Sequence, residues 1–349
     1  MSTPSTNSPR LITASARATV EKPSSSQRRA CGGLSGRGDP QRALAGLYFW
    51  TWDTEEVLDL IRWMRKWNSD PKHSKVKFYG FDTRKMPRAA QVALAYITRV
   101  AKGESANWAT QLAPLTNELD SQVGAMAPEE LQALIKAASA LVQRFDAARA
   151  AWTSRSSAEA WAVARQHAQI LVQSLEVLRL GPLPAAGEAR DRAMAENINW
   201  IAEHEGPQSK LVVWAHDFHV SYGSQSWHTM GQFLRARWGK AYLNVGFAFD
   251  HGDFRSGDSL DNDRVHPFTV GPLPPGSFDE TLNATGLPRF ILDLRTPPVG
   301  VVTDWLSAQH TAIAIQGNRN KQDINANFTA AFSMLYGLND SAFASSCCR

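Results

Sequence analysis

The sequence predicts an α/β fold in which a mostly parallel central sheet is flanked by helices and carries an inserted helical subdomain. Two observations lead there. Short apolar runs of strand length alternate with helical stretches over 53–82 and again from 187 onward, and that alternation is the signature of strands joined by helical crossovers. Between them, residues 86–180 contain no strand signal and are dense in Ala, Leu, Gln and Arg, which reads as three or four helices standing off the sheet.

In chain order, residues 1–38 are rich in Ser, Thr, Arg and Gly and show no apolar period, so they read as a disordered basic tail. Their acid-poor, Arg- and Ser-rich character is also that of an organelle transit peptide. Order is expected over 39–345, as one α/β domain. Asp53 is placed to cap a helix, with Glu56 three residues on completing a capping box. Val57, Leu60, Ile61 and Met64 recur at helical spacing, so this helix buries one face. It should stop before Asp70-Pro71. Lys75 to Phe81 reads as a strand leading to Asp82. The helical insertion closes at Leu180-Gly181-Pro182. Glu188 to His204 is then helical, Leu211 to Ala215 is a buried strand, Trp227 to Trp238 a helix and Ala241 to Phe249 a strand. Phe290-Ile291-Leu292 and Thr311 to Ile315 are further strand candidates.

Charge narrows the function. The sequence pI near 9.0 comes from the tail, where six basic residues face one acid, Glu21. The other 31 basic and 32 acidic residues nearly balance, so the body lacks the basic surface of a nucleic-acid binder. No apolar run approaches the roughly 20 residues that span a bilayer. Cys31, Cys347 and Cys348 sit near the ends, which argues against a disulfide framework or zinc site and fits a reducing cytoplasm.

The sharpest local feature is LVVWAHDFHVS at 211–221. An apolar strand runs directly into His216, with His219 three positions later. In open α/β sheets the ligand crevice lies beyond the carboxyl ends of the strands, where two imidazoles can polarise a carbonyl, deprotonate water or protonate a leaving alkoxide. Both can equally be hydrogen-bonded structural residues. A metal is a further reading, but His-x-x-His supplies two ligands where a catalytic zinc takes three protein ligands. Asp217 is no obvious third, and no metal or other cofactor is expected. Arg190-Asp191 opens the helix before this strand. It reads either as a capping pair or as a cleft-facing Arg190 that stabilises an oxyanion or fixes a carboxylate. Asp82, at the end of its own strand, is a candidate for substrate contact by the same strand-end rule. Neither a Walker lysine nor a Gly-x-Ser-x-Gly nucleophile elbow is present, which removes nucleotide binding and the standard serine esterase.

Several stretches together resemble the erythromycin esterase family. They are GDPQRALAGLYFWTWDTEEVLDLIRWMRKWN at 38–68, KVKFYGFD at 75–82, RDRAMAENINWI at 190–201, VVWAHDFHVS at 212–221, MGQFLRARWG and GFAFDHGDFR within 230–255, GLPRFILDLR at 286–295 and DWLSAQ at 304–309. The resemblance implies water-driven cleavage of an ester without a covalent serine intermediate. Its best-known substrates are macrolactone antibiotics such as erythromycin, so macrolide inactivation and antibiotic resistance follow as expectations. It assigns His216 and His219 to the cleft and places Arg190 and Asp191 in a family motif; the implied partner is a small-molecule ester or macrolide. One departure stands out. The family carries its general-base histidine in an early Gly-Glu-x-x-His-Gly segment, and here the first histidine is His73. The sequence therefore predicts a sheet lacking its N-terminal part and an impaired hydrolase. The competing readings are a non-catalytic small-molecule binder and a metal-assisted hydrolase.

Overall fold

A computed structural model describes residues 10–14, 39–47, 50–83, 86–117, 120–222, 226–258, 264–296, 299–308, 310–315, 321–326 and 334–338. In chain order the elements begin with β1 (Arg10–Ala14), α1 (Pro40–Ala45), α2 (Glu55–Ser69) and β2 (Lys77–Gly80). A helical series follows: α3 (Met86–Val100), α4 (Lys102–Gln111), α5 (Ala113–Asn117), α6 (Asp120–Gly124), α7 (Pro128–Ala147), α8 (Arg149–Ser154), α9 (Ala158–Leu180) and α10 (Ala185–Glu205). After β3 (Lys210–Trp214) come α11 (Asp217–Val220), α12 (Met230–Trp238), β4 (Val245–Phe249), β5 (Gly252–Asp258) and β6 (Arg264–Val270). The last are α13 (Phe278–Asn283), β7 (Arg289–Asp293), α14 (Val301–Ser307), β8 (His310–Ile315), β9 (Lys321–Ala326) and β10 (Met334–Leu338). Among the described residues no helix is long and apolar enough to cross a membrane. The chain divides into two compact units, 1–39 with 67–214 and 40–66 with 215–349, a finer division than the single domain over 39–345 expected from the sequence.

The first unit holds a parallel three-stranded sheet in the order β2-β1-β3, with Ile12 opposite both Phe78 and Val212. The strand β1 corrects the expectation that residues 1–38 form a disordered tail throughout. The physical reason is length. Five residues between Ser-, Thr- and Arg-rich flanks are too few to display a period, and a strand paired on both edges needs no alternation. The rest of the expected tail lies outside the described residues.

Among the described residues, 86–180 hold seven helices, α3 to α9, where the sequence reads as three or four. Their core gathers Ile97, Leu112, Leu115, Leu141, Phe145, Trp152 and Leu171, all essentially inaccessible. Phe145 and Trp152 meet edge to face with ring centroids 5.0 Å apart, a favoured aromatic geometry. The cuts fall at caps that a run of Ala and Leu hides. Glu130 reaches back to accept the Ala127 N–H at 3.2 Å, starting α7. Ser157 accepts the Ala160 N–H at 3.0 Å, starting α9. That helix ends on Gly181, whose φ of 72° is a conformation glycine adopts without strain.

In the second unit β10 pairs parallel with β4 and antiparallel with β7, while β5–β6 and β8–β9 are antiparallel pairs. Three of its four described pairings are thus antiparallel, which corrects the mostly parallel sheet for this part of the chain. The missed strands carry Gly, Asp and Pro267 and read as loop, yet Phe254 and Phe268 stand opposite each other with rings stacked at 5.6 Å, a cross-strand pair that steadies the hairpin. Helix α2 buries Val57, Leu58, Ile61 and Met64. Its cap is Thr54, whose hydroxyl accepts the Val57 N–H at 3.3 Å, one residue beyond the predicted Asp53.

Candidate active site

The strand β3 ends at Trp214, and the two histidines follow within five residues. His216 is the N-cap of α11. Its Nδ1 accepts the Phe218 N–H at 3.1 Å, so in the neutral ring the proton belongs on Nε2, an assignment made from the hydrogen bond. The side chain is exposed, and its Nε2–H is a donor that can polarise a carbonyl oxygen. His219 is half-buried one helical turn on, its N–H donating to the His216 carbonyl at 2.9 Å. Its ring meets Phe218 edge to face at 5.7 Å, and Phe218 in turn meets Trp227 at 4.9 Å.

Four residues of helix cannot hold their own geometry, so the mount matters. The Val220 carbonyl accepts the Tyr242 hydroxyl at 2.7 Å and the Asn244 amide at 2.9 Å. The Thr229 hydroxyl donates to the Ser221 carbonyl while capping α12. A Cβ on Gly231 would sit 2.2 Å from the Val220 oxygen and 2.3 Å from that of Ser221, so only glycine permits this approach of α12 to the histidine loop. On the other side Asp217 Oδ2 accepts the Phe247 N–H of β4 at 2.7 Å.

Burial pushes the Asp217 carboxyl up from 3.8 to about 7, and the hydrogen bond from Phe247 opposes that rise. The sign of the pH effect follows. The unfolded chain releases this proton near its ordinary value, about 3.9, whereas the folded protein keeps it to about 7. Between those limits the folded state binds more protons, so stability is lost as pH rises through the window. An Asp217→Asn protein escapes that loss. Its melting temperature should gain on that of wild type from about pH 4 to pH 7 and run parallel above. A gap that stays constant across the window would contradict the raised carboxyl pKa.

The other site candidates lie in the first unit. Asp82 follows β2 and accepts both arms of the Arg190 guanidinium, Nε at 2.9 Å and a terminal nitrogen at 2.6 Å. The chain around it is held from both sides. Asn197 donates to the Phe81 carbonyl at 2.8 Å, and the Ser174 hydroxyl donates to the Thr83 carbonyl. Asp191 is completely buried. Arg190 and Asp191 lie in α10 rather than opening it, since that helix starts at Ala185. Of the sequence-predicted residues the structure thus brings together His216 with His219, and Asp82 with Arg190, each pair within its own unit. Asp217 is the member of the site that sequence reasoning passed over. The signal available was only its place between the two histidines. Among the described residues no three His, Cys, Asp or Glu side chains gather to hold a metal ion.

The erythromycin esterase family profile matches residues 20–335, and the chain belongs to that family. The match begins at residue 20, within the segment that the sequence reads as a tail. YbfO of Bacillus subtilis (strain 168), provisionally named a hydrolase, is 24% identical over 299 residues, covering 78% of this chain and 66% of YbfO. The match thus spans just under two thirds of that relative's length. Among solved structures, a Bacillus cereus protein superposes with a TM-score of 0.79 at 24% identity, covering 95% of this chain and 80% of its own. A succinoglycan biosynthesis protein gives 0.77 at 19% identity, with 95% and 79% covered. A mutant of the erythromycin esterase EreC in its open conformation gives 0.66 at 15% identity, with 95% and 82% covered. At these identities the three share its fold.

Proposed function

We propose that this chain is a hydrolase that opens a small-molecule ester or macrolactone by direct attack of water. His216 polarises the ester carbonyl through its Nε2–H, and His219 protonates the leaving alkoxide while the attacking water releases its proton to solvent. For the first unit we infer, independently of that pair, that Arg190 is a fixed positive charge able to stabilise an oxyanion, held by Asp82, which is also the candidate for substrate contact, with Asp191 supporting the same helix from the interior. The observation that carries this reading is the His216–His219 pair on a short helix pinned to β4 and α12 in a chain of the erythromycin esterase family.

Residues 1–349 contain no Gly-Glu-x-x-His-Gly segment. Hydrolysis by these residues alone is therefore expected to be slow, by a factor approaching the ~10²–10⁴ that a general base contributes. The test is mass-spectrometric detection of one added water on erythromycin, with p-nitrophenyl acetate as an unselective ester probe. Turnover of either supports a hydrolase. Saturable erythromycin binding with no hydrolysis of either probe would instead identify a non-catalytic binder of the same fold.

A further inference from the structure

The segment between the two histidines holds a carboxyl group whose partner lies 30 residues away on another element, the Phe247 N–H of β4. Among the described residues β4 stands at one end of the three-strand order β4-β10-β7, and an edge strand presents N–H groups to whatever lies beside it. At Phe247 that group is taken by Asp217 at 2.7 Å. A first-turn acid that merely eased the helix dipole would face solvent. This one is half-buried and turned onto the strand, and burial raises its pKa. The two ends of α11 are therefore tied differently. Its C-terminal end hangs from carbonyl oxygens, through Tyr242, Asn244 and Thr229. Its N-terminal end, which carries His216 as cap, is tied to β4 through the Asp217 carboxyl.

We propose that Asp217 is a positioning residue for the histidine pair: by holding the Phe247 N–H its carboxyl fixes α11 against β4 and so sets the direction of the His216 and His219 rings. The proposal rests on the reading of those histidines as catalytic, and acts through them. A neutral amide keeps an acceptor oxygen of the same shape, so Asp217→Asn preserves the tie, whereas Asp217→Ala removes that acceptor and loosens the N-terminal end of α11. Misplacement of a catalytic group by about 1 Å costs as much as about 10²-fold in rate.

The experiment compares wild type, Asp217→Ala, Asp217→Asn and His216→Ala, all full-length. Two readouts are taken: hydrolysis of erythromycin and p-nitrophenyl acetate, and nitrogen-edited NMR of the imidazole rings, assigned with His216→Gln and His219→Gln. In Asp217→Ala, kcat should fall about 10- to 100-fold with KM within about 3-fold, and the His216 and His219 ring signals should shift or split. In Asp217→Asn both rate and ring signals should stay close to wild type. Asp217→Ala with unchanged ring signals overturns the proposal, and so does an equal loss in Ala and Asn variants. His216→Ala separates the two levels. If it hydrolyses as fast as wild type while the ring signals of Asp217→Ala move, the catalytic reading fails and the positioning stands. If it is inactive while Asp217→Ala behaves as wild type, only the positioning fails. The ring signals decide even where turnover is absent.

Discussion

His216→Ala should lower the hydrolysis of erythromycin and of p-nitrophenyl acetate by about 10²–10⁴-fold, with little change in thermal stability. The first half follows from the chemistry. The ring is exposed, and its Nδ1 is taken by the Phe218 N–H at 3.1 Å. The Nε2–H is the donor proposed to strengthen as charge builds on the carbonyl oxygen, and positioned donors and proton-transfer groups are each worth about that factor. The second half follows from burial. An exposed cap contributes roughly 0.5–2 kcal/mol, and α11 keeps its ties through Val220 and Asp217. A His216→Asn variant, whose side-chain oxygen also caps, should recover the stability and none of the rate. The measurement is kcat/KM for the three proteins beside their melting curves. A His216→Ala protein within about threefold of wild type on both probes would remove His216 from the chemistry.

Much of the candidate site could be read from the sequence because its parts are contiguous. A strand of apolar residues and the two histidines at its exit occupy one run of eleven residues, 211–221, and strand-end placement needs no long-range knowledge. The Asp82–Arg190 pair was not legible as a pair. Its members are 108 residues apart, and the sequence offers Asp191 as the nearer partner for Arg190. Adjacent residues on a helix diverge by about 100°, so neighbours in sequence do not face each other. The structure accordingly buries Asp191 completely and sends Arg190 to the end of β2. Asp217 was passed over for a similar reason, since its partner on β4 is a backbone N–H that no side-chain pattern reveals. In the fold, long amphipathic helices such as α2 were legible, while its cap was misplaced by one residue because Asp53 and Thr54 are both good caps. The hairpin β5–β6 was missed because strands with one wet face and several turn-forming residues resemble loops.

The pair Asp82–Arg190 should also prove the most costly single contact to break in the first unit. The Asp82 side chain is 3% exposed and that of Arg190 21%, and the two are joined by parallel hydrogen bonds of 2.9 and 2.6 Å. Removing Asp82 takes the bidentate partner from a half-buried Arg190, on which Asp191 still acts through space, at up to about 3–5 kcal/mol. For a unit of this size roughly 2–4 °C is lost per kcal/mol, so Asp82→Ala should melt on the order of 10 °C below wild type. The Thr83 N–H, which donates to Asp82 Oδ1 at 2.8 Å, loses its partner as well. Replacing both members by apolar residues takes the stranded charge away. The double variant Asp82→Ala, Arg190→Met should therefore recover a large part of the stability, because buried ion pairs often exchange for apolar packing at little net cost. Activity should not recover with it, since the proposed fixed cation is gone. Melting curves and urea titrations followed by circular dichroism, with kcat/KM measured on the same preparations, give the two readouts. A single Asp82→Ala variant within about 1 kcal/mol of wild type would show that the pair is solvated and dispensable to the fold. A double variant that hydrolyses as well as wild type would remove Arg190 from the chemistry.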